Sequence, residues 1–431
     1  MKKRDRNLHK IRKRNARIFP IYKMFSWDLL FFYPIQFLFY TITKGINTSQ
    51  ILIANSIFLL VKALSKIPAV HISNKVGSAK SIVIGNCFMV LHTLFLIIFP
   101  GFVGVIIANI MMALGFAFKE LGEDELLFDS VATKGGSGLY SKVNYKGTSL
   151  YYLLDGMASL ASGYFFLRDN YLPIYISLIF IIIATLISLG FDDIHPVDKK
   201  KVTYKKRLVA KARQLRHQRR DYFKVVLGSS RLRSFIIFNT IYYSLFLLAG
   251  VYVKNIFLDL GVSEINYAIV FAITSIVSGL VIAFTKLIEK AFKNKTLTIM
   301  SMTYSVSCMI LGIVTMFVSG KGIIAFSTIL IIIMSIDRAL WYAIKYKYLM
   351  HFTLHKDRNP ITFVSETLGC IGAAITSIIG SIIVEFIPAS KALTYVTIVF
   401  FILLVISILY MRTRFGLKPH KYKKEDIRLG I

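Results

Sequence analysis

The sequence predicts an all-α membrane protein with twelve transmembrane helices, six on either side of a basic connector. Three observations carry this. The 431-residue chain is 55% hydrophobic. Its apolar runs recur at about 20 residues, the length an α-helix needs to cross about 30 Å of hydrocarbon. The stretch Lys199–Arg233 holds 14 of the 53 Lys and Arg residues. No bilayer core accepts that density, because one such charge at the centre costs roughly 2.5–3.5 kcal/mol. Finally, the other basic residues fall almost entirely on one side of the predicted spans. Barrel strands are excluded because the runs are too long and continuous, and only helices satisfy their own backbone within one span.

The first six spans are expected at 24–43, 49–69, 81–100, 102–122, 147–167 and 172–191. The second six are expected at 234–253, 265–285, 296–318, 322–344, 363–384 and 390–411. The chain then divides into a basic tail (1–23), a six-helix unit (24–191), a basic amphipathic connector (192–233), a second six-helix unit (234–411) and a basic tail (412–431). On this map 47 Lys and Arg lie on the side of both tails and the connector, five on the other, and Arg338 within a span. Basic residues mark the cytoplasmic face, so both termini are expected inside. The +31 net charge is therefore a topology signal, and nucleic acid is not an expected partner. Membrane lipids are, through apolar residues such as Leu208, Leu215 and Phe223 set among the connector charges.

Cys87, Cys308 and Cys370 lie in separate apolar runs and imply neither disulfide nor metal site. His351 and His355 have i, i+4 spacing without the accompanying Glu or a third ligand, and Lys134–Gly138 is Gly-rich without a phosphate-loop pattern. No enzyme, cofactor or metal centre is expected.

Six plus six spans with a long cytoplasmic middle resembles the major facilitator superfamily. The local signature is Asn74-Lys75-Val76-Gly77-Ser78-Ala79-Lys80 between spans 2 and 3. Gly77 matches the turn glycine of the family's gating loop, Lys75 and Lys80 match basic positions, and Asn74 stands where the family has Asp. Gly122–Ser130 and Arg358–Thr362 are further stretches similar to bacterial members. The resemblance implies two pseudo-symmetric six-helix bundles around a central cavity, alternately open inward and outward. It implies a monomeric secondary transporter of a small organic molecule in a bacterial cell membrane, with export the commoner direction. A lipid translocase and a transport-inactive sensor or scaffold are the other classes the same scaffold serves. A laterally open groove would mark the first, and partner binding through the connector without flux the second.

Charges at membrane depth face a wet cavity or a partner. Asp337 and Arg338 fall mid-span 10, which the resemblance makes cavity-lining with spans 1, 4 and 7. Helical spacing sets Asp337 and Trp341 on one face and Arg338 and Tyr342 on the next. Asp155 in span 5 and Asp337 are candidates for proton exchange, since burial favours a neutral carboxyl. Asp28 and Gln36 in span 1, and Asn239, Tyr242 and Tyr243 in span 7, complete the candidate solute site. Glu366 is expected as a structural contact, and Glu120–Glu125 as a solvated helix end.

Overall fold

The computed structural model describes residues 3–131, 137–194, 226, 228–292, 295–318, 320–351 and 358–415. The expected helix of the connector, the Lys134–Gly138 loop, His355 and most of the C-terminal tail lie outside or largely outside these residues.

The described residues form helices and no strand. The first half comprises α1 (Lys3–Ser26), α2 (Thr48–Val76), α3 (Ser78–Ile98), α4 (Gly101–Val131), α5 (Ser137–Arg168) and α6 (Leu172–Ser188). The second half comprises α7 (Ser230–Asp259), α8 (Glu264–Ala283), α9 (Thr296–Phe317), α10 (Lys321–His351), α11 (Arg358–Phe386) and α12 (Ala389–Phe415). A short helix, Thr285–Phe292, follows α8. Nine of the helices, among the described residues, are long and apolar enough to span a bilayer, and α6 is apolar but shorter.

Local chemistry sets the ends. Asn47 and Gln50 form a reciprocal capping box at the start of α2, at 2.8 and 3.0 Å. Ser229 caps α7 through the Leu232 N–H at 3.3 Å. Gly77 turns the chain between α2 and α3 at φ +96°, a conformation that disfavours any side chain.

The two halves repeat one packing plan. Within the first half α3 packs on α4 and α6, α2 on α4, and α1 on α5 and α6. Six helices later α9 packs on α10 and α12, α8 on α10, and α7 on α11 and α12. The halves meet along two seams related in the same way, α5 against α8 and α2 against α11. Small residues let these seams close. A Cβ added at Gly156 would lie 2.6 Å from Ile276, and one at Gly163 would lie 2.5 Å from Ala268.

Three expectations need correction. The first span is not one helix: α1 ends at Ser26, the chain unwinds, and helical turns resume only over 33–43. Phe31 sits in the break in the left-handed region, at φ +67°. Secondly, several basic residues counted toward the two faces sit within the bundles: Lys62, Lys66 and Lys119 fall inside expected spans, and Lys254, expected just beyond one, is helical. Lys62 and Lys66 are in α2, Lys119 in α4 and Lys254 in α7, and Lys44 is tucked against the Phe99 carbonyl at 2.8 Å. Thirdly, Glu120–Glu125 is not simply a solvated end, because Glu120 and Glu123 are drawn into ion pairs with lysines.

Candidate functional site between the halves

The break in span 1 exposes backbone carbonyls inside the first half, and polar side chains answer them. The Lys119 ammonium donates to the Ser26 carbonyl and, at 3.2 Å, to that of Trp27. Ser177 Oγ donates to the Leu30 carbonyl. Lys119 is 2% exposed, so an amine that would be costly alone is matched by acceptors the helix has released.

Asp28 lies in this break. Its Oδ2 accepts from the Tyr151 hydroxyl at 2.6 Å, and Trp27 stacks on the Tyr151 ring at 5.6 Å. One turn along α5, Asp155 Oδ2 accepts from Ser275 Oγ of α8 at 2.6 Å, a bond that crosses the seam between the halves. From the second half, the charge of Arg338 on α10 acts on Tyr33, Tyr152, Asp28 and Asp155. Among the described residues it has no carboxylate in ion-pair contact. Lys254 of α7 places its ammonium 5.3 Å from the centre of the Tyr33 ring. The first half thus brings carboxylates and the second half brings cations to one region.

The sequence candidates separate accordingly. Asp28, Asp155, Arg338 and Tyr342 converge on this region. Asp337, although adjacent to Arg338, turns into the second half among Tyr242, Tyr304 and Cys308 and is 6% exposed. Trp341 is buried in the same half, stacked on Tyr243 at 5.7 Å and edge-on to Tyr242 at 5.9 Å. Asn239 is buried on α7, with Oδ1 unpartnered among the described residues. Gln36 donates to the Tyr40 hydroxyl at 3.2 Å. With Lys254 and Asn55 these two line a cavity of about 30 Å³, room for water and too little for an organic solute.

A larger cavity of about 260 Å³ opens where the N-terminal end of α2 meets the C-terminal ends of α7 and α11, lined by Asn47, Asn255, Asp259 and Glu385. Neither of these cavities reaches Asp337 or Arg338.

One end of the seam between α2 and α11 is closed by charge. Lys66 of α2 pairs with Glu366 of α11 across the seam and lies 3.6 Å from Glu120 of α4, which also binds Lys62 at 2.6 Å. Periodicity could not reveal this network, because its members sit on three helices remote in sequence. The loop between α2 and α3 is tied through a downstream carboxylate. Asp193, just beyond α6, accepts from Ser78 Oγ at 2.8 Å and from the Ala79 N–H at 2.9 Å, capping α3. Lys75 and Lys80 are exposed, and the Asn74 side chain lies outside the described residues.

No family model and no curated sequence matches the chain. Solved structures match along nearly its whole length. A POT family transporter in complex with 5-aminolevulinic acid superposes with a TM-score of 0.66, at 13% identity over 95% of this chain and 96% of that one. The nucleoside transporter NupG gives 0.65, at 13% identity over 94% and 99%. The fold is therefore that of major facilitator transporters, two pseudo-symmetric six-helix bundles, as the loop signature and the six-plus-six pattern implied.

Proposed function

We propose that this protein is a secondary transporter that moves a small organic solute across a bacterial cell membrane by alternating access. One observation carries the reading: at the seam of a two-bundle fold Asp155 holds Ser275 of the other half while Asp28, one tyrosine away, and Asp155 both lie in the field of Arg338. Charges at membrane depth that face between mobile halves are functional by default. A solute seated there can bridge the bundles, and the Lys66–Glu366 pair holds the cytoplasmic side shut meanwhile. Among the transporters of like fold, two of the POT family are in complex with 5-aminolevulinic acid or a thioalcohol-conjugated peptide and NupG is a nucleoside transporter, which supports an organic solute of similar size. Proton coupling belongs to this reading, with Asp155 and Asp337 the carboxyls singled out by sequence. The chain is taken as a monomer with both termini inside.

A screen for thermal stabilisation by candidate solutes, followed by flux in proteoliposomes, tests the proposal. Arg338→Gln is expected to weaken solute binding by roughly 10–100-fold, the equivalent of about 1.5–3 kcal/mol for a lost charged hydrogen bond. Undiminished flux in this variant would remove Arg338 from the site. Flux with and without an imposed pH gradient reads the coupling, and oriented vesicles read the direction, with export expected. Lipid scrambling without solute flux would favour a translocase instead.

A further inference from the structure

We propose that Asp28, Tyr151 and Asp155 form one proton-binding unit, in which the two carboxylates share a single proton through the tyrosine hydroxyl. The inference rests on the transporter reading and reassigns its proton carrier, setting Asp337 aside.

The geometry is that of a paired acid. Asp28 Oδ2 takes the Tyr151 hydroxyl at 2.6 Å, and Asp155 Oδ2 takes the Ser275 hydroxyl at 2.6 Å. The second oxygen of each carboxylate is buried without a partner among the described residues. Asp155 is 6% exposed and Tyr151 3%. Tyr151 also lies beside Asp155. A phenol has one hydrogen, so it donates to one carboxylate at a time and can accept from the other when that one is protonated. Two carboxylates this close in a desolvated site do not both stay ionised; a shared proton resolves the conflict.

A metal cation could fill the same gap, but the surroundings argue against it. Every element packed here already supplies its cation or none. Lys119 from α4 sits on the adjoining carbonyls, Arg338 from α10 faces both carboxylates, and Lys254 from α7 lies beyond Tyr33. Tyr152 from α5 and Tyr33 from span 1 are the other titratable neighbours, with Glu123 farther along α4 behind Lys119. A metal ion needs a shell of several oxygen ligands, and one oxygen of each carboxylate is already taken by a hydroxyl, whereas a proton needs only a single oxygen and no room. The unit also spans moving parts. Asp28 hangs on the break in span 1, and Asp155 holds Ser275 of the opposite half, so a proton taken from one compartment can be returned to the other as the seam shifts.

Trp27 reports on the unit, because it stacks on Tyr151 and the chain has one other tryptophan, Trp341. The experiment is a pH titration of Trp27 emission in Trp341→Phe protein reconstituted in liposomes. Infrared difference spectra of the protein retaining both tryptophans, read at the carboxylic-acid carbonyl stretch, guard against misfolding of that variant. One transition and one carboxylic-acid band are expected. Asp28→Asn and Asp155→Asn should each abolish both, the double variant should add nothing, and Asp337→Asn should leave both in place. No transition and no band, persistence of both in either single variant, loss in Asp337→Asn, or the same response to sodium at fixed pH would overturn the proposal. Titration in a chain that moves no solute would instead overturn the transport reading and leave the proton unit standing.

Discussion

Gly77 shows how one residue can hold two unrelated requirements. It takes a backbone angle of φ +96°, and its missing side chain leaves room for a carboxylate, since an added Cβ would stand 2.0 Å from Asp193 Oδ2. That carboxylate caps α3 through Ser78 and Ala79. Gly77→Ala is therefore expected to lower stability by the left-handed penalty, about 1–2 kcal/mol, plus whatever the displaced cap contributed. Thermal melting in detergent checks this. With Asp193→Ala already present, the same substitution should cost less than in the native background, because the steric conflict is gone. Equal losses in the two backgrounds would show that the backbone alone decides. The loop between α2 and α3 thus turns on a glycine while the cap of α3 comes from a residue some 115 positions downstream.

At the scale of elements, the break in the first span is the least ordinary feature. Ser26, Trp27 and Leu30 give up helical bonding, and Lys119 and Ser177 replace it. Phe31 is held in its left-handed conformation by stacking on Phe165 at 6.1 Å and packing on Phe180 at 5.3 Å. Lys119→Met keeps most of the side-chain volume and removes the donor. Leaving buried carbonyls unmet costs roughly 1–3 kcal/mol each. Hydrogen exchange should rise over residues 24–32 in this variant, while α9 and α12 stay as protected as before. If protection fell throughout the chain, or nowhere, Lys119 would not be the local clamp described.

For the whole molecule the question is how two bundles are held and released. The Lys66–Glu366 pair joins α2 to α11 at one end of their seam, with Glu120 and Lys62 in the same network. Breaking a buried pair by removing one partner is strongly unfavourable, roughly 3–5 kcal/mol, because the other charge is left behind. Glu366→Gln should therefore release this end of the seam. Cys370, one turn further along α11 and buried, is the natural reporter. With Cys87 and Cys308 replaced by Ala, its labelling by a permeant thiol reagent should accelerate in Glu366→Gln. An unchanged rate would mean that apolar packing alone, such as that of Leu59, Ala63 and Ala373 around it, closes the seam. Orientation is tested at the same scale. Impermeant labelling of single cysteines at the exposed positions Lys80 and Lys391 should report opposite compartments, with Lys80 inside.

By itself the sequence determined the helical type of the elements, their approximate limits, the turn at Gly77 and the rows of charge from which an orientation is expected. These are local properties: hydrocarbon thickness sets run length, and insertion energies sort lysine and arginine between loop and lipid. It also marked Asp28, Asp155 and Arg338 as out of place in an apolar run. Only the tertiary structure decided which of the marked residues meet. It separated Asp337 from its neighbour Arg338, gave Lys66, Lys119 and Lys254 their partners inside the bundles, and opened span 1 around Asp28. It also revealed that the main contacts between helices of the first half recur six helices later, a symmetry of packing that no repeated residue pattern announced. The reason is that burial of a charge is settled by its partners, and those partners come from helices far apart in the chain.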